Sequence, residues 1–213
     1  MIFSIGNMNK SGTIIKYSES KLSESHENEL IEKLRRRDQH AFAELVKIHE
    51  KAVYRICYRF FSDEHESLDA TQEVFIKVFK AIEKFEGRSS LKTWIYRIAA
   101  NTCLTLAEKK KREKEGLLQT FINWWSDSTS ESPEDEILEE ETRKLNQKIV
   151  SEKIASLPES YRMPVILKDL EGMPLEKISE ILEIPVGTVK SRINRGRRIL
   201  QDSLQAYVYG RLE

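Results

Sequence analysis

Between Gly12 and Gly87 the chain has no glycine and no proline. These residues punctuate helices and turns, so their absence over so long a stretch argues for long helices. Cysteine is almost as scarce. Cys57 and Cys103 each stand alone in an apolar helical setting without C-x-x-C spacing, which argues against a disulfide framework or a zinc knuckle. They read as buried bystander thiols, and a redox pair would require the fold to bring them together. No apolar run is long enough to cross a bilayer, and MIFSIGNMNK lacks the cationic start, apolar core and cleavage site of a secretory leader. The expectation is a cytoplasmic protein without membrane insertion. His26, His40, His49 and His65 are scattered without H-E-x-x-H spacing, and neither a glycine-rich phosphate loop nor a nucleophile motif occurs. That argues against an enzyme, and no cofactor or metal is expected.

What is present is zoned charge. The 213 residues balance 35 cations against 35 anions, yet residues 105–114 hold five cations and two anions, and residues 116–150 three cations and eight anions. An extended polyanionic partner would select such zoning. Apolar periodicity predicts the helices. Phe42, Leu45, Val46, His49, Val53, Ile56, Cys57 and Phe60 step by three and four along one face. A second helix carries Phe75, Val78, Phe79, Ile82 and Phe85, and a third Leu91, Trp94, Ile95, Ile98, Ala99 and Thr102. Gly87 to Ser90 reads as the turn before the third, with Ser90 as its N-cap.

From about Glu115 the composition shifts to Ser, Thr, Asp, Glu and Pro, the signature of a linker. Trp124 and Trp125 are unusual there and are expected to cover an apolar surface. All five prolines lie beyond residue 132, so the second half is expected to use shorter helices. Pro164 fits only a first helical turn, Gly172 marks a helix end and Pro174 a start. Leu175, Ile178, Ile181 and Leu182 form a short amphipathic helix. Ile184 to Gly187 breaks it, Thr188 caps the next helix, and Val189, Ile193, Ile199 and Leu200 supply that helix's buried stripe. Helix, glycine-containing tight turn, helix is a helix-turn-helix.

The second helix of that motif carries Lys190, Arg192, Arg195, Arg197 and Arg198, with no anion from residue 184 to 200. With Val189 and Ile193 buried, Lys190, Ser191, Asn194, Arg195 and Arg198 fall on the other faces. Arg and Lys suit guanine edges or phosphates, Asn suits adenine, and Ser suits a phosphate. A solvated cationic face is the competing reading; the missing acids and the helix-turn-helix frame favour nucleic acid.

LPESYRMPVILKDLEGMPLEKISEILEIPVGTVKSRINRGRRIL resembles region 4 of bacterial RNA polymerase sigma factors, in particular the extracytoplasmic-function (ECF) group. DQHAFAELVKIHEKAVYRICYRFF, ESLDATQEVFIKVFKAIEKF and EGRSSLKTWIYRIAANTCL resemble sigma region 2 in order and spacing. The resemblance implies an all-α chain of two small helical domains joined by an acidic flexible linker, the C-terminal one a helix-turn-helix. Its expected parts are an N-terminal extension over 1–26, expected to be disordered, region 2 over 27–114, the linker over 115–136 and region 4 over 137–207.

It further implies that Thr188, Lys190, Ser191, Arg192, Asn194, Arg195, Arg197 and Arg198 contact the minus-35 element. Trp94, Arg97, Asn101, Thr102 and Lys109 would serve minus-10 recognition and melting, with Asn101 beside a pocket for a flipped base. Asp69, Gln72, Glu73 and Lys77 would bind core polymerase at the β′ clamp, although carboxylates at a helix start are also explained by the macrodipole alone. The implied partners are core RNA polymerase through its β and β′ subunits, double-stranded and melted promoter DNA, and, as in many relatives, an anti-sigma factor. A stand-alone helix-turn-helix regulator is the alternative; it would bind promoters without polymerase.

Overall fold

The computed structural model describes residues 26–121 and 149–209. Most of the acidic linker, Trp124 and Trp125, and all but the end of the N-terminal extension lie outside them. Every regular element among the described residues is helical.

The first unit comprises α1 (26–35), α2 (Gln39–Phe61), α3 (Glu64–Ala81) and α4 (Leu91–Phe121). Sharp corners separate the first three. Arg37 (φ 59°) and Ser62 (φ 55°) adopt the left-handed conformation, and each is followed by a capping aspartate. Asp38 accepts the Ala41 N–H at 2.9 Å and Asp63 the Glu66 N–H at 2.8 Å, satisfying donors that a helix start leaves unpaired. Periodicity carries the second helix to Phe85, but α3 ends at Ala81 and gives way to a 3₁₀ turn, Ile82–Lys84. At three residues per turn, Ile82 and Phe85 eclipse, and both are buried. Ser90 caps α4 as expected, its hydroxyl accepting the Thr93 N–H at 3.2 Å.

Helix α4 then runs past residue 114 to Phe121. Gly116, worth about 1 kcal/mol against a helix, is too weak to stop it. Leu34, Leu45, Val53, Ile56, Phe60, Val74, Val78, Ile95 and Ala99 form the centre of this unit. The fold brings the two thiols together, with Cys103 Sγ 3.7 Å from Cys57 Sγ and both fully buried. That hydrogen bond, and then burial, push the Cys103 thiol up, while the same bond lowers Cys57.

The second unit comprises α5 (149–155), α6 (Glu159–Val165), α7 (Leu175–Leu182) and α8 (Val186–Tyr209). Pro164 lies beyond the first turn of α6, contrary to the sequence expectation. Beyond it the segment continues as a π turn, Ile166–Leu170, where the Glu171 N–H reaches the Ile166 carbonyl at 3.0 Å. Gly172, at φ 67°, ends the segment.

Two further expectations are corrected at the helix-turn-helix. Helix α8 starts at Val186, so Thr188 sits inside its first turn instead of capping it; the Val189 N–H is satisfied by the Pro185 carbonyl at 3.0 Å. The left-handed residue of the turn is Glu183 (φ 54°), and Gly187 is helical. The turn holds because the Ser179 hydroxyl donates to the Ile184 carbonyl at 2.6 Å.

The two units pack on each other through α2, α4, α6 and α7. Their buried residues form one continuous cluster from Leu30 to Ile193. Arg162 bridges the seam: its guanidinium lies 4.7 Å from the centre of the Phe60 ring and donates to the Phe60 carbonyl at 3.3 Å. Burial lowers its pKa.

Candidate polymerase and nucleic-acid interfaces

Antiparallel packing of α2 on α3 leaves an apolar groove between them. Its floor and walls are Phe42, Val46, Phe75, Ile76 and Phe79, with Leu68, Asp69 and Gln72 at one end. Leu68 is 51% and Ile76 42% exposed, and with the groove they form a contiguous apolar surface. The Phe79 ring meets Phe42 edge-on at 5.0 Å, and the Arg37 guanidinium lies 5.4 Å above it.

Of the residues expected to bind polymerase, Asp69 and Gln72 line the groove. Glu73 and Lys77 form an ion pair at 3.5 Å, and Lys77 also reaches the Thr102 hydroxyl at 3.3 Å. Leu68 and Ile76 were not singled out from the sequence as groove residues. The available signal was their i, i+4 spacing about Gln72, which makes a stripe separate from the buried one.

On α4 the expected DNA residues divide. Asn101 and Lys109 are exposed. Thr102 is 1% exposed and bonded to Lys77, so it carries no DNA contact in this conformation. Trp94 is half-buried with its ring 5.2 Å from that of Phe85, a packing role instead of an open stacking platform. Arg97 is already engaged. Its guanidinium pairs with Glu183 at 2.9 Å and donates to the Glu180 carbonyl at 2.9 Å, both in the second unit. Its Nε is buried without a hydrogen-bond partner among the described residues. Lys110 pairs with Glu66.

In the second unit Ile178, Ile181, Val189 and Ile193 are buried between α7 and α8. Lys190, Ser191, Asn194, Arg195 and Arg198 are thereby left exposed on one side of α8, with Thr188 and Arg192 half-buried. Lys190, Arg192, Arg195 and Arg198 have no ion-pair partner among the described residues. Arg197 does: its Nε donates to Asp169 at 2.9 Å and its Nη2 makes a second bond to the same carboxylate. This pairing, spanning 28 residues, raises the Arg197 pKa and ties α8 to the π turn. Among the described residues, four of the five cations therefore present an unneutralised surface, which attracts phosphates.

Gly196 is a structural residue that the sequence reading passed over. A Cβ placed there would lie 2.7 Å from Val165 Cγ2, so α6 and α8 approach more closely than any side chain would permit. Its position in α8, where glycine is otherwise unfavourable, was the available sign.

Comparison with known proteins gives this geometry its context. The sigma-70 region 2 model matches residues 45–113 and the sigma-70 region 4 model residues 147–200. The ECF RNA polymerase sigma factor SigW of Bacillus subtilis is 36% identical, over 82% of this chain and 95% of its own length. The ECF RNA polymerase sigma-E factor of Haemophilus influenzae is 35% identical, over 83% and 94% respectively. Two solved structures share the fold. CnrH in complex with the cytosolic domain of CnrY aligns with a TM-score of 0.58 at 20% identity, covering 84% of this chain and 97% of that one. The sigma factor RpoE in complex with the anti-sigma factor NepR from Bartonella quintana aligns at 0.56 and 23% identity, covering 77% and 96%. The groove, the α4 face and the cationic α8 thus belong to one family, and the chain is a member of the ECF RNA polymerase sigma factors.

Proposed function

We propose that the chain binds core RNA polymerase, directs it to specific promoters and helps open the DNA, acting in the cytoplasm as a binding factor and not as an enzyme. The carrying observation is the coexistence, in one chain, of an exposed cationic recognition helix and an exposed amide, Asn101, on a separate helix beside a partner-sized apolar groove.

Each surface has a role suited to its chemistry. The α2–α3 groove, with Leu68, Asp69, Gln72 and Ile76, takes the polymerase β′ clamp, where apolar burial supplies affinity and the carboxylate and amide supply orientation. The N-terminal part of α8 enters the major groove of the minus-35 element. Lys190, Ser191, Asn194 and Arg195 reach base edges or nearby phosphates, and Arg197 and Arg198 hold the backbone. Melting requires no bond-making. Asn101 captures an unstacked base of the minus-10 element through edge hydrogen bonds while Arg97 and Lys109 follow phosphates, and preference for the unpaired base shifts the duplex toward its open form. An anti-sigma factor is a further partner suggested by the complexes of the two structural neighbours.

Run-off transcription with purified core polymerase on a promoter library tests the proposal. Added chain produces promoter-dependent transcripts, and Asn101→Ala lowers open-complex formation while leaving duplex binding at minus-35 intact. A chain that bound promoters alone and failed to stimulate polymerase would instead be a stand-alone regulator.

A further inference from the structure

One carboxylate at the seam between the units has an unusual setting. Glu171 lies just past the π turn of the second unit, and its side chain is only 6% exposed. Arg55 on α2 grips it through two nitrogens, at 2.9 and 2.8 Å, and Arg59, one turn further along α2, donates at 2.6 Å. These bonds span more than 110 residues and join the units directly. A buried carboxylate without such partners would carry a large desolvation cost, so the seam is stable only when all three groups meet.

A second set of contacts lies further along the same seam. Arg97, on the α4 face that carries Asn101, pairs with Glu183 and with the Glu180 carbonyl at the end of α7. The residue holding Arg97 is the strained left-handed one of the helix-turn-helix, and the Arg97 Nε is left unsatisfied. The α7 end thus occupies a guanidinium that a DNA phosphate would otherwise bind. The recognition face of α8 remains open in the same conformation.

We propose that Glu171, clasped by Arg55 and Arg59, is an intramolecular latch that keeps the units closed so that α7 competes with DNA for Arg97. This rests on the assignment of α4 as a DNA-facing helix. The closed chain keeps its minus-35 face, Asn101 and Lys109 exposed and withholds Arg97 from the melting face, and separating the units completes the site for single-stranded DNA. Because the latch is ionic and Arg55 is half-exposed, added salt weakens it.

The test uses the full chain and its Glu171→Arg variant, with small-angle X-ray scattering to follow separation. Binding of a fluorescent single-stranded oligonucleotide, at one fixed salt concentration, follows access to α4. Glu171→Arg is expected to increase the radius of gyration and to tighten single-strand binding about tenfold. The triple variant Arg55→Glu, Arg59→Glu, Glu171→Arg restores the compact profile and the weak binding, which loss of folding would not do. If Glu171→Arg leaves both the scattering and the single-strand affinity at wild-type values, or if the triple variant stays as open as the single one, the latch is refuted. Run-off transcription by the wild-type chain separates this from the underlying assignment. Failure there overturns the sigma-factor reading, whereas normal transcription with unchanged scattering overturns only the latch.

Discussion

Gly196→Ala adds one methyl group at the tightest helix contact in the second unit. The new carbon would sit 2.7 Å from Val165 Cγ2 and 3.3 Å from Tyr161 Cβ, against an optimum of about 3.5–4.0 Å between carbons. The contact must therefore open by about 1 Å. Val165 is 1% exposed and β-branched, so its χ1 has little freedom to yield. Overpacking of this kind costs about 1–3 kcal/mol, while replacing glycine by alanine in a helix returns about 1 kcal/mol. The expected net effect is a loss of about 1 kcal/mol. Equilibrium urea unfolding followed by circular dichroism measures it.

A double-mutant cycle isolates the cause. Val165→Ala removes the clashing carbon at its own cavity cost. On that background Gly196→Ala becomes neutral or stabilising, giving a coupling of about 1–2 kcal/mol. Equal effects in both backgrounds, or a stabilised single variant, would refute the close-approach argument. Minus-35 duplex affinity should fall with the single variant and recover in the double one, because α8 is the element displaced.

Replacing Leu68 or Ile76 by Asp should leave folding within about 0.5 kcal/mol, since both side chains are exposed, yet weaken core-polymerase binding about tenfold in a competition assay, from about 1–2 kcal/mol of lost apolar burial. Arg198→Ala should weaken minus-35 binding evenly across sequences and reduce the salt slope by about 1, whereas Asn194→Ala should change sequence preference; quantitative binding to a site library tells them apart. His49 supplies a pH dependence: burial, and then the nearby Lys92 charge, lower its pKa from 6.5. The unfolded chain therefore takes up the proton first, so stability is lost as pH falls from about 6.5 toward the folded value. Urea midpoints for wild type and His49→Gln, compared between pH 5 and 8, should diverge in that window alone.

The elements that local physics determines were legible in the sequence. The stripe from Leu45 to Phe60, the Ser90 cap, and the partition of α8 into buried Val189 and Ile193 and exposed Lys190, Asn194 and Arg195 all arise from periodicity and capping. What escaped the sequence reading depends on partners distant in the chain. Nothing near Glu171 announces Arg55 and Arg59, and Arg197 looked unpaired because Asp169 lies outside its own helix. Thr102 and Trp94 lie on the apolar stripe that periodicity marks, and their burial follows it; only the particular neighbours, Lys77 and Phe85, are a tertiary outcome. The α8 start at Val186 instead of Thr188 is marked by the first i→i−4 bond of the helix, from the Val189 N–H to the Pro185 carbonyl, which no side-chain signal in the sequence announces.

The π turn at Ile166–Leu170 has a consequence for the geometry of the whole chain. A helix advances about 100° per residue, so one extra residue in a turn changes the azimuth of everything after it. Regularising the segment, for instance by deleting Lys168, would swing Glu171 by about that angle and point its carboxylate away from α2. A backbone irregularity beside Pro164 therefore acts as a phase setting: it fixes the direction in which the second unit offers its charge to the first, and mutations that shift the phase would change domain coupling without touching a single charged residue.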